Sequence, residues 1–249
     1  MLRDLVVLCY HGVSETWPAE TSVRPADFER QLDSFARRGY RGATFSDALT
    51  APAGERVVVV TFDDAHRSVL ELAAPIMSRL GLPGTIFVPT GYAGSERPMG
   101  WAGYDEWLGT EHEPELRCLG WEELRRLAAD GWEIGSHTRS HPRLPTLGEA
   151  EIASELSESR RECEAEIGTA CASVAYPYGD YDDRVVRLAG EAGYRFGATV
   201  PRGPRAALPL AWPRVGVYHG EGAGRVRLRA GSRRMRTPGW SRIARVIRR

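Results

Sequence analysis

A parallel α/β domain is the fold class predicted by this 249-residue sequence, and three observations predict it. Strand-like apolar runs alternate with helix-like runs along most of the chain. The β-branched run RVVVVTF (56–62) has no polar face, the pattern of a strand covered on both sides. The connections between runs are short, as β/α units require. About seven such units make a parallel sheet, either closed into a barrel or left open. In such folds the chemistry sits at the carboxyl ends of the strands.

The first strand is LVVLCY (5–10), which delivers His11 onto a loop. PADFERQLDSFARRG (25–39) is a helix, with Pro25 at its start and Gly39 at its end. RVVVVTF is the second strand, followed by a helix over SVLELAAPIMSRLG (68–81) and a third strand, GTIFVP (84–89). Residues 90–120 are rich in glycine and aromatics without clear periodicity and read as a long functional loop. The alternation resumes with WEELRRLAADG (121–131), WEIGS (132–136) and the long helix LGEAEIASELSESRRECEAEIG (147–168). ASVAYP (172–177), DDRVVRLAGEAG (182–193), YRFGATV (194–200) and PRVGVY (213–218) complete the series. With no repeat or low-complexity linker, the expected organisation is one domain, 1–224, and a tail, 225–249.

All 33 basic residues are arginine, and the formal net charge is zero. That balance hides an asymmetry: residues 225–249 hold ten arginines and no acid, leaving 23 arginines against 33 acids in residues 1–224. An acidic body argues against nucleic acid as its partner. The four cysteines (Cys9, Cys118, Cys163, Cys171) form no CxxC pair and read as buried thiols in a reducing compartment. The apolar run after Asp4 is too short for a secretory h-region of roughly 7–15 residues. No stretch approaches the roughly 20 apolar residues of a membrane span. The expected location is therefore cytoplasmic.

Chemistry is concentrated at three strand ends. TFDD (61–64) places two carboxylates after an apolar strand, which is costly unless each has a task or a cation. An N-cap role would explain one aspartate and leave the other without a purpose. SHTRSH (136–141) offers two histidines four apart, and because Pro142 disfavours helix at His141 they sit on a loop or a single turn. Such a segment can converge two imidazoles on one metal or leave them as two unrelated surface histidines. Together Asp64, His137 and His141 make a two-histidine, one-carboxylate set with open positions for water and substrate. Asp63 is then free to act as a base. AYPYGDYDD (175–183) carries a rigid turn at Tyr178 that can aim a backbone N–H into the site.

TFDD, HTRSH and YPYG, in this order and at these spacings, resemble the first three motifs of the polysaccharide deacetylases (the NodB-homology family, carbohydrate esterase family 4). The resemblance runs from about Leu5 to Val217. It also takes in LAAPIMSRLGLPGTIFVPTGYAG (72–94) and WEELRRLAADGWEIGSHT (121–138). It implies a distorted (β/α) barrel and metal-dependent hydrolysis of an N-acetyl group from an amino sugar. Carried over position by position, it implies Asp63 as general base and Asp64, His137 and His141 as ligands of one divalent ion. Zinc is the first expectation, with nickel or cobalt as alternatives. The Tyr178 N–H would help hold the oxyanion, and Leu144 would line the acetyl pocket.

Two parts of the common pattern are displaced. Ala175 stands where many members begin the third motif with an arginine, and His219 in VYHGEG is the only late histidine. The chain resembles most the poly-N-acetylglucosamine deacetylase branch, whose circularly permuted members present the acid histidine from a Tyr-His segment on the first strand. LCYHGV (8–13) resembles that segment, which makes His11 the expected general acid. WPRVGV (212–217) resembles the closing strand, which makes Arg214 the expected partner of Asp63. Trp101, Trp107 and Trp212 join Leu144 as candidate pocket residues. Trp101, Tyr104 and Trp107 can either stack on sugar rings or form the loop's own core. His66 follows TFDD where the family has an aromatic, and it either approaches the site or starts a helix.

In the tail, Trp240, Ile243 and Ile247 recur at helical spacing among arginines. Such an end suits peripheral contact with an anionic inner-membrane surface or is simply a solvated terminus. The expected substrate is an N-acetylglucosamine-type glycan, or a lipid-linked or small glycoside precursor. The alternatives are a non-catalytic carbohydrate-binding protein on the same scaffold and a deacylase of a non-polymeric amide.

Overall fold

The computed structural model describes residues 4–51, 55–201 and 206–232. Their strands are β1 (Asp4–Tyr10), β2 (Gly12–Val13), β3 (Ser22–Val23), β4 (Arg41–Gly42), β5 (Arg56–Phe62) and β6 (Gly84–Val88). β7 (Glu133–Ser136), β8 (Ser173–Ala175), β9 (Phe196–Thr199), β10 (Trp212–Pro213) and β11 (Val215–Gly216) follow. The helices are α1 (Pro25–Ala36), α2 (Phe45–Thr50), α3 (Ala74–Arg79), α4 (Trp121–Ala129), α5 (Glu149–Ile167), α6 (Asp183–Glu191) and α7 (Ala223–Ser232).

The main sheet runs in the order β10-β9-β8-β7-β6-β5-β1-β11, with β4 added beside β5. Every pairing is parallel. β10 and β11 lie at opposite edges of that order, yet a single residue, Arg214, separates them in sequence. The two edges must therefore meet, and the sheet curls into a nearly closed barrel of eight strands with Arg214 at its seam. The expectation of about seven strands falls one short because PRVGVY is two strands, broken at Arg214, and not one.

Strand alternation sorts the side chains into two layers. Leu5, Val7, Val57, Val59, Phe87, Ala175, Phe196, Ala198 and Trp212 face one way and pack with Phe45 and Leu49 of α2 inside the barrel. Val6, Leu8, Tyr10, Val58, Val60, Phe62 and Ile86 face the other way, under α1, α3, α4 and α7. Helices α5 and α6 cover Val174 and Tyr176. The strands are apolar on both faces, as the RVVVVTF pattern predicts.

Local signals place the helix ends. Pro25 opens α1 at a position where its missing N–H costs nothing. The Thr44 and Asp182 side chains accept the Asp47 and Val185 amides to cap α2 and α6. Gly168, at φ 77°, ends α5. The helix predicted over 68–81 forms, wound wider than an α-helix at Val69–Ala73 and continued by α3. Pro75 has no N–H with which to continue an ordinary ladder there.

The expected boundary at residue 224 falls within α7. Val226 and Ala230 of that helix are buried against the barrel, and Arg229 donates to the Gly216 carbonyl (2.6 Å) and to Glu221. The predicted amphipathic stretch at Trp240, Ile243 and Ile247 lies outside the described residues. No helix among the described residues is long and apolar enough to cross a membrane.

Candidate active site

Inward alternation continues past the apolar layer and changes chemistry near the carboxyl ends of the strands. On β1 and its exit, Leu5 and Val7 are followed by Cys9 and His11. On β5, Val57 and Val59 are followed by Thr61 and Asp63. Alternation alone would send Asp64 outward. Its backbone is left-handed instead (φ 67°), as is that of Ala65 (φ 52°), and this turns the second carboxylate back to the mouth. Thr138, His141 and Tyr178 are the other described non-glycine residues at positive φ. All five lie at strand exits around one opening, where backbone strain of this kind is characteristic of functional sites.

The loop after β7 is tied down so that two histidines converge. Glu155 accepts from the Arg139 and Ser140 amides (2.8 and 2.9 Å) and from the Ser140 hydroxyl (2.5 Å). Thr138 Oγ1 accepts the His141 amide at 3.2 Å. His137 donates from Nδ1 to the Ala175 carbonyl (2.9 Å), which fixes its tautomer and leaves an Nε2 lone pair. That Nε2 and the Nε2 of His141 each lie 3.4 Å from Asp64 Oδ1.

Asp64 Oδ1 is buried without a hydrogen-bond partner, so the two imidazoles surround an unsatisfied anionic oxygen. Burial lowers the His141 pKa to about 3, keeping the ring neutral and able to donate its lone pair to a metal. The Asp64–His137–His141 cluster, with all three residues buried, fits a divalent cation in both donor chemistry and proximity.

Asp63 lies beside this cluster in a different environment. Arg214, itself fully buried, grips it with two bonds, Nη1 to Oδ1 and Nη2 to Oδ2, both 2.7 Å. A further Nη1 bond reaches Thr61 Oγ1 at 3.0 Å. Burial alone would raise the Asp63 pKa, but the guanidinium outweighs it and holds the carboxyl at about 2. The Cys9 thiol donates to Asp63 Oδ2 at 3.3 Å, and burial pushes its pKa far up, so it remains a thiol. His11 lines the same opening, and its Nδ1 is buried with no hydrogen-bond partner. Burial lowers the His11 pKa, against the pull of the Asp64 and Asp63 charges.

These groups form the floor of an open cleft of about 460 Å³, whose wall includes Trp101, Trp107, Arg143 and Tyr178. Trp101 stacks on the His141 ring with centroids 3.9 Å apart, and the Arg143 guanidinium sits 3.8 Å from the Tyr178 ring centre. Two candidate pocket residues lie elsewhere. Leu144 is buried in the cluster under α5 and α6, and Trp212 packs among the apolar side chains inside the barrel. Neither lines the cleft. His219 is also outside it, with its Nδ1 3.1 Å from the Ser22 carbonyl oxygen.

Tyr104, one of the undecided loop aromatics, is 3% exposed and donates its hydroxyl to Asp64 Oδ2 at 2.6 Å. His66, fully buried, contacts that hydroxyl at 2.7 Å. Sequence reasoning did not find this contact. The only available signal was a histidine two residues after Asp64, because Tyr104 is 40 residues away in a loop without period.

A parallel barrel that gathers an N,N,O donor set and an ion-paired carboxylate at its strand exits has the layout of a hydrolytic α/β-barrel enzyme. Residues 50–197, more than half of the sequence, match the polysaccharide deacetylase family, and the chain belongs to that family. It is 26% identical over 204 residues to YxkH of Bacillus subtilis (strain 168), a protein named for the same family, covering 80% of this chain and 65% of that one. It is 24% identical over 189 residues to the poly-beta-1,6-N-acetyl-D-glucosamine N-deacetylase of Staphylococcus aureus (strain MSSA476), covering 71% of this chain and 60% of that one. The chain thus spans less than two thirds of the length of either relative. Its fold is similar to that of the Streptococcus pyogenes deacetylase PplD, solved in complex with acetate. The TM-score is 0.76 at 21% identity, covering 96% of this chain and 100% of that one.

Proposed function

We propose that this chain is a metal-dependent hydrolase that removes N-acetyl groups from an amino-sugar glycan or glycoside, with zinc as the ion its ligands best suit. The observation that carries this reading is the juxtaposition of Asp63, held ionised by Arg214, with the Asp64–His137–His141 donor set. A binding module would have no use for a second buried carboxylate kept free of the ligand set.

A divalent ion at Asp64, His137 and His141 would acidify water and polarise the amide carbonyl. Asp63 then needs little basicity of its own. Its part is to be ionised and aligned, and the two Arg214 bonds supply both. It accepts the proton of the attacking water, a contribution of about 10²–10⁴-fold. The backbone N–H of Tyr178 helps hold the developing oxyanion. His11, which lines the same opening, enters the step as imidazolium and gives a proton to the departing amine nitrogen. The proton taken by Asp63 leaves to solvent, so that water and amide become acetate and free amine. Trp101 and Trp107 provide apolar surface for sugar rings at the cleft wall.

The test is acetate release across a panel of N-acetylated oligosaccharides and glycosides, using protein stripped of metal and reconstituted ion by ion. Metal-restored acetate release from at least one N-acetylated sugar is expected. No acetate from any sugar with any ion overturns the reading.

A further inference from the structure

We propose that Tyr104 and His66 are positioning residues that fix which oxygen of Asp64 faces the metal, and so set metal affinity. The inference rests on the metal reading above and deepens it. The Asp64 carboxylate has two oxygens in unlike surroundings. Oδ2 accepts the Tyr104 hydroxyl at 2.6 Å, whereas Oδ1 has no hydrogen-bond partner and faces the two histidines. A carboxylate free to rotate could offer either oxygen or both. The phenol removes that freedom, because turning Oδ2 toward the histidines would break a short bond between buried groups.

Tyr104 is itself held from behind. His66 Nε2 lies 2.7 Å from its hydroxyl, and His66 Nδ1 lies 2.8 Å from the Glu115 carbonyl oxygen. That oxygen can only accept, so Nδ1 donates to it. The single Tyr104 proton goes to Asp64 Oδ2, so the Nε2 contact is a donation from His66 to the phenol oxygen. The Tyr104 ring stacks on Trp101, which in turn stacks on His141. The long loop after β6 therefore reaches two of the three ligands, one by a hydrogen bond and one by ring contact. Outer partners of metal ligands typically change affinity by roughly 10–100-fold when removed.

The experiment measures zinc affinity by competition with a chromophoric chelator, and the visible spectrum of the cobalt-substituted protein. The proteins are wild type, Tyr104→Phe, His66→Gln and the double variant. Tyr104→Phe keeps the ring and its stacking, and circular dichroism establishes that each variant is folded. We expect zinc affinity to fall by roughly 10–100-fold in Tyr104→Phe, with an altered cobalt spectrum. A smaller fall is expected in His66→Gln, and no further fall when it is added to Tyr104→Phe. Independent structural roles would instead add. Zinc affinity within twofold of wild type in both single variants overturns the inference while leaving the metal reading intact. A wild-type protein that binds neither ion overturns both. Should Tyr104→Phe not fold, His66→Gln decides alone.

Discussion

The two halves of the barrel interior are built by the same strands, facing the same way, and they do opposite work. Near the strand starts the inward side chains are Leu5, Val7, Val57, Val59, Phe196 and Trp212, a packed apolar plug. Two to four residues further along they are Cys9, His11, Thr61, Asp63, His137 and Arg214, nearly all buried. Burial is therefore common to both halves, and what differs is how it is satisfied. In the lower half it removes apolar surface from water. In the upper half it raises the cost of every charge, and each charge is met by a designated partner or left for a ligand. A rigid lower plug under a polarised upper layer is a means of holding charges in a fixed arrangement.

If that contrast is right, mutations in the two halves separate stability from chemistry. The largest stability effect belongs to Arg214→Ala, which leaves the buried Asp63 charge without its partner. Breaking such a buried pair costs about 3–5 kcal/mol, read as a lowered urea midpoint. Arg214→Lys should recover only part of it, because an ammonium cannot make the two-bond fork. Phe196→Ala, in the plug, should cost up to a similar amount, about 3–5 kcal/mol, through the cavity it leaves. Zinc binding by the folded fraction should be unchanged there, and a large loss of zinc affinity in that variant would erase the distinction between the halves.

His11→Gln should leave stability and metal content near wild type while most turnover is lost, measured as the kcat for acetate release. Normal turnover would make His11 structural. Thr61→Val, nearly isosteric, removes a hydroxyl that accepts from Arg214 and donates to the Leu8 carbonyl. It should cost about 1.5–3 kcal/mol, the size of a hydrogen bond to a charged group. Acid provides the subtlest test. The Asp63 carboxyl sits at about 2 against an ordinary 3.8, so the stability tied to its ionisation is fully present above about pH 4. It is lost as pH falls through about 2. That acid-side slope in a urea-midpoint profile should disappear in Asp63→Asn.

Much of the upper layer is legible in the sequence because polar residues interrupt apolar strands there. TFDD after RVVVV and SHTRSH after WEIG are breaks in a simple pattern, and the structure brings Asp64, His137 and His141 together. His11 and Arg214 follow from family resemblance and not from periodicity, since one histidine after a strand and one arginine between two-residue strands carry little signal alone. The barrel closure follows from the family resemblance and is not legible in the strand pattern. It depends on β10 and β11 being two residues each, and their pairing partners are fixed only by the curled sheet. Tyr104 is hidden for a related reason: its contact with Asp64 is set by the path of an aperiodic loop. The helix beginning at Ala223 is masked by its arginines, because only Val226 and Ala230 mark its buried face. Leu144 and Trp212 are both buried, the first under α5 and α6 and the second inside the barrel.

The central claim is that Asp63 is a base held by Arg214 and not a ligand, and Asp63→Asn tests it most directly. In folded protein loaded with zinc, the account predicts acetate release reduced about 10²–10⁴-fold with one metal ion still bound per chain. Acetate release within tenfold of wild type, or loss of the metal along with the activity, would contradict it.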